Sequence, residues 1–454
     1  MRSISRVKIS GLFGYVNHDV EFTKDSPITI ISGPNGIGKT HFLRLLHALI
    51  RLEIDALASV EFDQIEVYFT DKFALKVVQT RVGNDVEGFE LSAKRPLGRK
   101  FQGLQIPYRP VREGAEETPE WVTQLPDGNW YDRRLDRIMP QESARRWRLP
   151  TKRHQVTLVR GNPWLEELYE GSRSILVDTQ RLDAIPFYGG KTNRPASMGQ
   201  GATLTRIRLY IEQVAGQLED ARRTSLNESL DADQSFAARV LQKARTTINE
   251  KDLKERYQRI AELHAELHAS GLSIRRADVS FPEGKPTPTE RRILNVFLDD
   301  WERKLTPLLP IHEKLKSLRR IIETKFVGKE LFLTPKGRIG FKSKLNGRLV
   351  AVNSLSSGEQ HLLAMFSMLL FSAERGSVVL IDEPEISMHA AWKHSFLEDI
   401  AEVAKLSELQ IVLATHSSAI INGNWDLVQE IKAPDAPDAA IEGLGMDEDM
   451  DGEI

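Results

Sequence analysis

A glycine-rich turn between an apolar run and an amphipathic segment constrains this chain more than any other feature. The run Ile28-Thr-Ile-Ile31 is short and rich in β-branched residues, which predicts a buried strand. The turn that follows extends from Ser32 to Thr40. After it, apolar residues recur at helical spacing: Phe42, Leu43, Leu45, Leu46 and Leu49. A strand, a tight turn and a helix in this order predict an α/β fold.

The turn has the spacing Gly-x-x-x-x-Gly-Lys-Thr that is typical of a phosphate-binding loop, or P-loop. Its glycines let backbone N–H groups turn toward a phosphate, and the helix N-terminus adds its positive dipole. We expect Lys39 to reach the β- and γ-phosphates of a nucleotide and Thr40 to ligate Mg²⁺. The pattern arises by chance in roughly one or two of a hundred chains of this length, so it requires support from other motifs. The residues expected to bind the nucleotide here are Asn35, Gly36, Gly38, Lys39 and Thr40.

A second apolar run, Val378-Val-Leu-Ile381, ends in two acidic residues, Asp382 and Glu383. Four consecutive apolar residues predict a buried parallel strand, and open α/β sheets place ligands at the carboxyl ends of such strands. We expect Asp382 to hold the Mg²⁺ shell and Glu383 to polarise the water that attacks the γ-phosphate. The alternative is a plain helix-capping turn, because adjacent acids also occur there.

Two further segments carry polar residues at the ends of predicted elements. Leu355-Ser-Ser-Gly-Glu-Gln360 precedes an apolar stretch, Leu362 to Phe371, which predicts a helix with an anion-binding N-terminus. Ala414-Thr-His416-Ser417 follows the predicted strand from Ile411 to Ala414. A single histidine after a buried strand, such as His416, is more often a hydrogen-bonded core residue than a functional one.

Taken in order, these motifs resemble those of ABC-type ATPases. Leu355 to Gln360 is similar to the ABC signature, with Ser357 in place of its first glycine. Glu385-Ile-Ser-Met-His389 resembles the D-loop, and Asp178-Thr-Gln180-Arg181 resembles the Q-loop. His416 lies where the H-loop histidine is expected. The resemblance covers residues 1–90, 174–190 and 326–430, with a helical insertion between Q-loop and signature.

The resemblance implies an ATPase that uses ATP and Mg²⁺. Glu383 and His416 would be catalytic, with His416 contacting the γ-phosphate, and Gln180 would join Thr40 and Asp382 at the metal. The signature residues Ser356, Ser357 and Gly358 would bind the γ-phosphate held by the P-loop of another copy. Because this chain has one P-loop and one signature, the family mechanism requires a homo-oligomer, at least a dimer with two composite sites.

The expected fold is an ABC-type P-loop ATPase core, a mixed sheet flanked by helices, that carries a helical or short coiled-coil insertion. Residues 1–200 would form the first part of the core, including a basic insertion at about 94–170. Residues 201–325 would form a helical hairpin, for which a short coiled coil and an ordinary helical subdomain remain open. Residues 326–432 would complete the core, and residues 433–454 would form a disordered acidic tail.

Charge and composition exclude several classes of protein. The 62 Lys and Arg residues are balanced by 64 Asp and Glu residues, so the whole chain is not a strongly basic nucleic-acid module. The segment from Lys94 to Arg153 is locally basic, however, and a solvated insertion and a surface for nucleic acid or an acidic partner both remain open. The absence of cysteine excludes disulfides, thiolate zinc sites and a cysteine nucleophile. No signal peptide or membrane-spanning run is visible, so we expect a cytoplasmic protein without a membrane partner.

The compact form of the motifs resembles the OLD-like ATPases of bacterial anti-phage systems. Among these, the size, the short helical insertion and the stretch from Ile421 to Leu427 resemble the ATPase subunit of the PARIS system, with the Septu ATPase as a close competitor. About 24 residues follow Glu430, too few for a nuclease domain. We therefore expect a separate TOPRIM-like effector nuclease and a phage trigger protein as partners, with the ATPase as sensor and scaffold. The alternative function is a DNA-repair or DNA-clamp ATPase that acts directly on nucleic acid.

Overall fold

The structure is a computed structural model that describes fifteen stretches of the chain. They are residues 3–83, 85–94, 103–108, 122–124, 130–132, 137–139, 162, 164–165, 173–178, 185–186, 203–204, 206–242, 249–273, 281–282 and 284–431. Gln180, most of the basic insertion and the acidic tail lie outside these residues, so the expectations for them stay predictions.

Strands in the described residues belong to five sheets. In chain order they are β1 (Ile4–Leu12), β2 (Val16–Glu21), β3 (Ile28–Ser32), β4 (Gln64–Phe69), β5 (Ala74–Val82), β6 (Asp85–Lys94), β7 (Leu104–Pro107), β8 (Val122–Gln124), β9 (Trp130–Asp132), β10 (Arg137–Met139), β11 (Ser174–Asp178), β12 (Ile185–Pro186), β13 (Thr203–Leu204), β14 (Lys329–Leu333), β15 (Ile339–Ser343), β16 (Leu349–Val350), β17 (Val378–Asp382), β18 (Gln410–Ala414) and β19 (Val428–Glu430).

Helices occupy the connections between these strands. In chain order they are α1 (Lys39–Ile50), α2 (Ile54–Ala58), α3 (Arg206–Gln242), α4 (Glu250–Ala269), α5 (Pro288–Leu305), α6 (Leu309–Lys325), α7 (Ser357–Ser367), α8 (Ala390–Ser407) and α9 (Ser418–Ile421). Short 3₁₀ turns lie at Thr306–Leu308, Val352–Ser354, Pro384–Ser387 and Trp425–Leu427, and a π-helical turn at Met368–Ser372. No helix among the described residues combines the length and apolarity needed to cross a membrane.

The central sheet is parallel and has the order β11-β17-β18-β3-β19. Its inner strands are continuous apolar runs, because helices or a second sheet cover both faces. Residues Val378 to Ile381 are all buried, as their sequence predicts. The α/β fold class is confirmed, with the parallel and antiparallel strands placed in separate sheets.

An antiparallel sheet of order β2-β1-β4-β5-β6-β7 packs over helix α1. Apolar residues alternate with polar ones between residues 60 and 80, a pattern that predicts a hairpin, and β4 and β5 pair antiparallel there. The side chain of Gln410 joins the two sheets: its Oε1 accepts from the Ile4 N–H at 2.8 Å, and its Nε2 donates to the Ile4 carbonyl oxygen at 2.7 Å. Helix α1 therefore lies in a core formed by both sheets.

The predicted helical insertion contains helices α3 to α6 and packs against the core. Pro288 is the first residue of α5 and Pro310 the second residue of α6, positions where proline is tolerated. Its apolar residues belong to the same buried cluster as α7 and α8. Side chains from α3 also contact the end of the segment that begins at the signature: Gln213 bonds Ser372, and Gln217 bonds the Phe371 carbonyl oxygen. These contacts accompany the π-helical turn, where the predicted helix departs from α-helical geometry.

Candidate nucleotide-binding site

Two glycines shape the loop between β3 and α1. Gly38 caps α1 with φ 95° and ψ 17°, a left-handed conformation that other residues rarely adopt. A Cβ atom at Gly38 would also lie 2.8 Å from Leu12 Cδ2, so a side chain there would require the buried Leu12 to shift. Gly36 has φ 85°, and a Cβ there would meet no atom within 4 Å, so the loop faces open space at this point. The loop can therefore receive a ligand at its backbone N–H groups.

Lys39 is folded into the loop and is only 5% exposed. Its Nζ donates to the carbonyl oxygens of Gly33 at 2.7 Å and Pro34 at 3.0 Å. A buried ammonium is unfavourable unless it is hydrogen-bonded, and these carbonyls supply the required acceptors. Phosphate oxygens would be stronger acceptors at the same position, which fits the predicted role of Lys39.

His18, which sequence reasoning missed, supports the loop from β2. It is 3% exposed, and its Nε2 donates to the Ile37 carbonyl oxygen at 2.9 Å. Its ring meets Phe42 edge-on at 6.2 Å between centroids. Burial lowers the pKa of His18 below its ordinary value. Buried and exposed residues alternate along β2, and this alternation indicates that His18 is buried. It does not indicate that the loop containing Ile37 packs against His18.

The acids predicted to hold Mg²⁺ and activate water lie at the carboxyl end of β17. Asp382 is the last residue of this strand and pairs in register with Ala414 of β18. Glu383 follows with φ 44° and ψ 57°, and its N–H donates to the Ala414 carbonyl oxygen at 2.9 Å. A left-handed conformation costs about 1–3 kcal/mol for a residue other than glycine, and such strain clusters at functional sites. The turn directs the chain away from the sheet directly after Asp382.

His416 lies beside Glu383, as the two predicted catalytic roles require. Its Nδ1 is 3.9 Å from Glu383 Oε1 and 3.3 Å from Glu385 Oε1. The imidazole is half exposed, whereas the Glu385 carboxylate is buried. The sequence analysis placed Glu385 at the start of the D-loop resemblance, two residues after Glu383, but gave its side chain no role of its own.

Strand order brings the three loops to one edge of the sheet. β3 precedes the P-loop, β18 precedes His416, and β17 precedes the acids; β18 lies between the other two. In register, Ala414 pairs with Ile31 on one side and Asp382 on the other. Because all three strands are parallel, their carboxyl ends open into the same crevice.

The signature residues lie in another cleft, of about 940 Å³, whose lining includes Ser356, Ser357 and Gly358 but none of residues 33–40. Ser356 caps α7 in a reciprocal arrangement with Glu359: Ser356 N and Oγ donate to Glu359 Oε2, and Glu359 N donates to Ser356 Oγ. Lys329 Nζ lies 2.7 Å from Glu359 Oε1. Burial raises the pKa of Glu359, but hydrogen bonds from Lys329 and Ser356 outweigh it, so the pKa is lowered. This network fixes the start of α7.

The donor set fits a magnesium nucleotide better than a metal ion alone. Thr40 and Asp382 offer hydroxyl and carboxylate oxygens, the ligands that Mg²⁺ prefers when phosphates complete its shell. Within the described stretches, no group of three or more His, Asp or Glu side chains could hold a metal by itself. The predicted metal contact of Gln180 lies outside those stretches.

Comparison with known protein families finds a match over residues 210–422. These residues are similar to the family described as "AAA domain, putative AbiEii toxin, Type IV TA system". The match spans the helical subdomain, the signature, the acid pair and His416, and it supports an ATPase domain of the AAA type. A comparison with curated proteins finds no match.

Solved structures that resemble the chain include Smc head domains. The head domain from Pyrococcus furiosus bound to the C-terminal domain of ScpA is 13% identical, with a TM-score of 0.36 over 93% of this chain and 91% of that one. The head domain from Thermotoga maritima is 11% identical, with a TM-score of 0.29 over 95% and 94% of the two chains. At these scores the likeness carries no functional inference.

Proposed function

We propose that this chain binds and hydrolyses ATP with Mg²⁺ at the carboxyl edge of its parallel sheet. One observation carries the proposal: adjacent parallel strands bring together the P-loop, the acid pair and His416. Each group matches one need of phosphoryl transfer, which depends on positioning and charge stabilisation more than on covalent chemistry. The match to an AAA domain supports the same activity.

Each group of residues in the proposed site has its own role in ATP hydrolysis. Lys39 and the P-loop amides bind the β- and γ-phosphates, while Thr40 and Asp382 hold Mg²⁺. The metal, when bound, neutralises charge that develops on the phosphate oxygens. Glu383 orients the attacking water and accepts its proton, and His416 contacts the γ-phosphate.

The active form would be a homo-oligomer with composite sites. The signature residues line a cleft that excludes the P-loop of the same chain, which supports their action on a second copy. A γ-phosphate held between two copies favours ATP over ADP in the closed state, and hydrolysis then releases the clamp.

The broader role proposed is a sensor and scaffold in anti-phage defence that controls a separate TOPRIM-like nuclease in response to a phage protein. The motifs favour a PARIS-type ATPase over a Septu-type one. The matched family's description, a putative toxin of a toxin–antitoxin system, supports a role of this kind. Contacts between α3 and the segment after the signature offer a route from the helical subdomain to the ATP site.

The alternative, a DNA-clamp ATPase, is favoured by one basic surface. The segment Thr334–Val350 contains five basic residues and no acidic one. Arg338 and Lys342 pair with acids of neighbouring elements, whereas Lys344 and Arg348 are exposed at a loop tip. Exposed cations at such a tip can contact phosphate backbones.

The test is ATP turnover by the full chain, with and without duplex DNA, at low and high salt. Turnover that requires Mg²⁺ and ignores DNA supports the defence role, and a nuclease that co-purifies would identify the effector. The DNA clamp would be favoured if DNA stimulates turnover and the double variant Lys344→Glu/Arg348→Glu loses this stimulation. The control double variant Lys251→Glu/Lys254→Glu, on the helical subdomain, should keep it. A folded chain without turnover would overturn the ATPase proposal.

A further inference from the structure

Glu385 is a buried carboxylate that the proposed mechanism does not use. It lies in the 3₁₀ turn Pro384–Ser387, directly after the acid pair, and is 6% exposed. Removing a carboxylate from water is unfavourable unless hydrogen bonds compensate for the lost solvation. The contacts of this side chain therefore show what it holds in place.

All these contacts involve one oxygen, Oε1. Thr415 Oγ1 donates to it at 2.6 Å, and the backbone N–H of His416 donates to it at 3.2 Å. The ring nitrogen His416 Nδ1 lies 3.3 Å away. Thr415 is fully buried, and its Oγ1 in turn accepts from the Ser417 N–H at 3.0 Å. One carboxylate oxygen thus organises three consecutive residues of the loop after β18.

The turn that carries Glu385 also carries Glu383. Within it, the Ile386 N–H donates to the Glu383 carbonyl oxygen at 3.3 Å, and the Met388 N–H donates to the Glu385 carbonyl oxygen at 3.2 Å. These bonds make the turn one unit. A link from Glu385 to the loop of His416 therefore also sets how His416 lies relative to Glu383.

We propose that Glu385 is a positioning residue of the hydrolytic site, which holds His416 against the γ-phosphate position and at a set distance from Glu383. This assignment rests on the proposed ATPase function. The His416 Nδ1 atom lies 3.3 Å from Glu385 Oε1, so the carboxylate attracts this edge of the ring and leaves the other nitrogen, Nε2, on the opposite side. Without Glu385, the half-exposed imidazole would rotate and the loop would lose two anchoring bonds.

The experiment compares full-length variants under saturating MgATP: Glu385→Ala, Glu385→Gln, His416→Ala and the double variant Glu385→Ala/His416→Ala. Loss of a residue that orients a functional side chain typically costs about 10–100-fold in activity, and we expect Glu385→Ala to lower kcat by this factor. The Kd for ATP should change less than about threefold, because the P-loop contacts remain.

The double variant separates positioning from general stability. If Glu385 acts through His416, the double variant is no slower than His416→Ala alone. Glu385→Gln keeps the Oε1 acceptor for Thr415 and the His416 N–H, so it should recover part of kcat. Asn295→Ala, a buried polar residue of the helical subdomain, is the matched control and should leave kcat unchanged.

Fully additive losses in the double variant, or an unchanged kcat in Glu385→Ala, would overturn the assignment. If Glu385→Ala does not fold, Glu385→Gln and Thr415→Val, which removes one donor, give the same comparison. If the unsubstituted chain folds but does not hydrolyse ATP, both the ATPase proposal and the role of Glu385 are overturned. If the unsubstituted chain is active and the two single substitutions lower kcat additively, only the role of Glu385 is overturned.

Discussion

At the scale of single residues, Lys39 and Glu383 separate nucleotide binding from chemistry. Lys39→Ala removes the cation facing the phosphates, so both ATP affinity and turnover should fall. Glu383→Gln keeps the size of the side chain but removes the base, so ATP should bind and persist while turnover falls by about two decades or more. Bound nucleotide and turnover, measured side by side, check both variants; parent-like turnover in Glu383→Gln would exclude Glu383 as the base.

The buried His18 predicts a pH dependence of stability. Burial lowers its pKa in the folded state, so the unfolded chain binds a proton more readily. The stabilisation is therefore present above the ordinary pKa of 6.5 and is lost as the pH falls below it. We expect the free energy of unfolding to fall between pH 7 and pH 5, and His18→Gln to flatten this dependence.

Urea unfolding at several pH values measures this effect. His41, whose pKa is also lowered by burial and then by Arg44, should contribute in the same direction. His41→Gln is therefore an informative companion variant, and an equal slope in the parent and in His18→Gln would contradict the prediction.

At the scale of elements, a buried ion pair joins α6 to α8. Lys325 Nζ bonds Asp399, and both side chains are at most 4% exposed; Arg320 and Ser395 complete the cluster. Asp399→Asn leaves the ammonium buried without its counter-charge, which should cost about 3–5 kcal/mol of unfolding free energy. The double variant Lys325→Met/Asp399→Leu should recover most of this loss, because an apolar pair needs no solvation.

Chemical denaturation of the unsubstituted chain, Asp399→Asn and Lys325→Met/Asp399→Leu measures how much the ion pair contributes to the free energy of unfolding. Arg303 and Glu228 form a more exposed pair on the helical subdomain, and Glu228→Gln should cost no more than about 1 kcal/mol. A loss in Asp399→Asn as small as in this control would show that the cluster contributes little.

At the scale of the whole molecule, the composite-site proposal predicts complementation between two inactive variants. Ser356→Arg blocks the signature, and Lys39→Ala blocks the P-loop. If the signature acts on a second copy, a mixed dimer holds one intact site, with its P-loop from one variant and its signature from the other. Turnover of the mixture should then exceed that of either protein alone. A mixture no faster than its components would exclude action between copies.

The sequence by itself determined the local order of the site. A β-branched run, a glycine-rich turn and an amphipathic helix predict strand, loop and helix from short-range sterics and periodicity. The strand before Asp382, the hairpin near residue 70 and the buried face of α1 follow from the same signals, and the structure has each of them.

Only the tertiary structure decided which of these pieces meet. Periodicity marks a buried face but does not name its partner, so the contacts of Glu385 with a loop about thirty residues away were invisible. The same holds for the ion pair between Lys325 and Asp399, which are 74 residues apart in the chain. The physical reason is that strand order and helix docking are set by burying two faces of a sheet at once, a property of the whole chain.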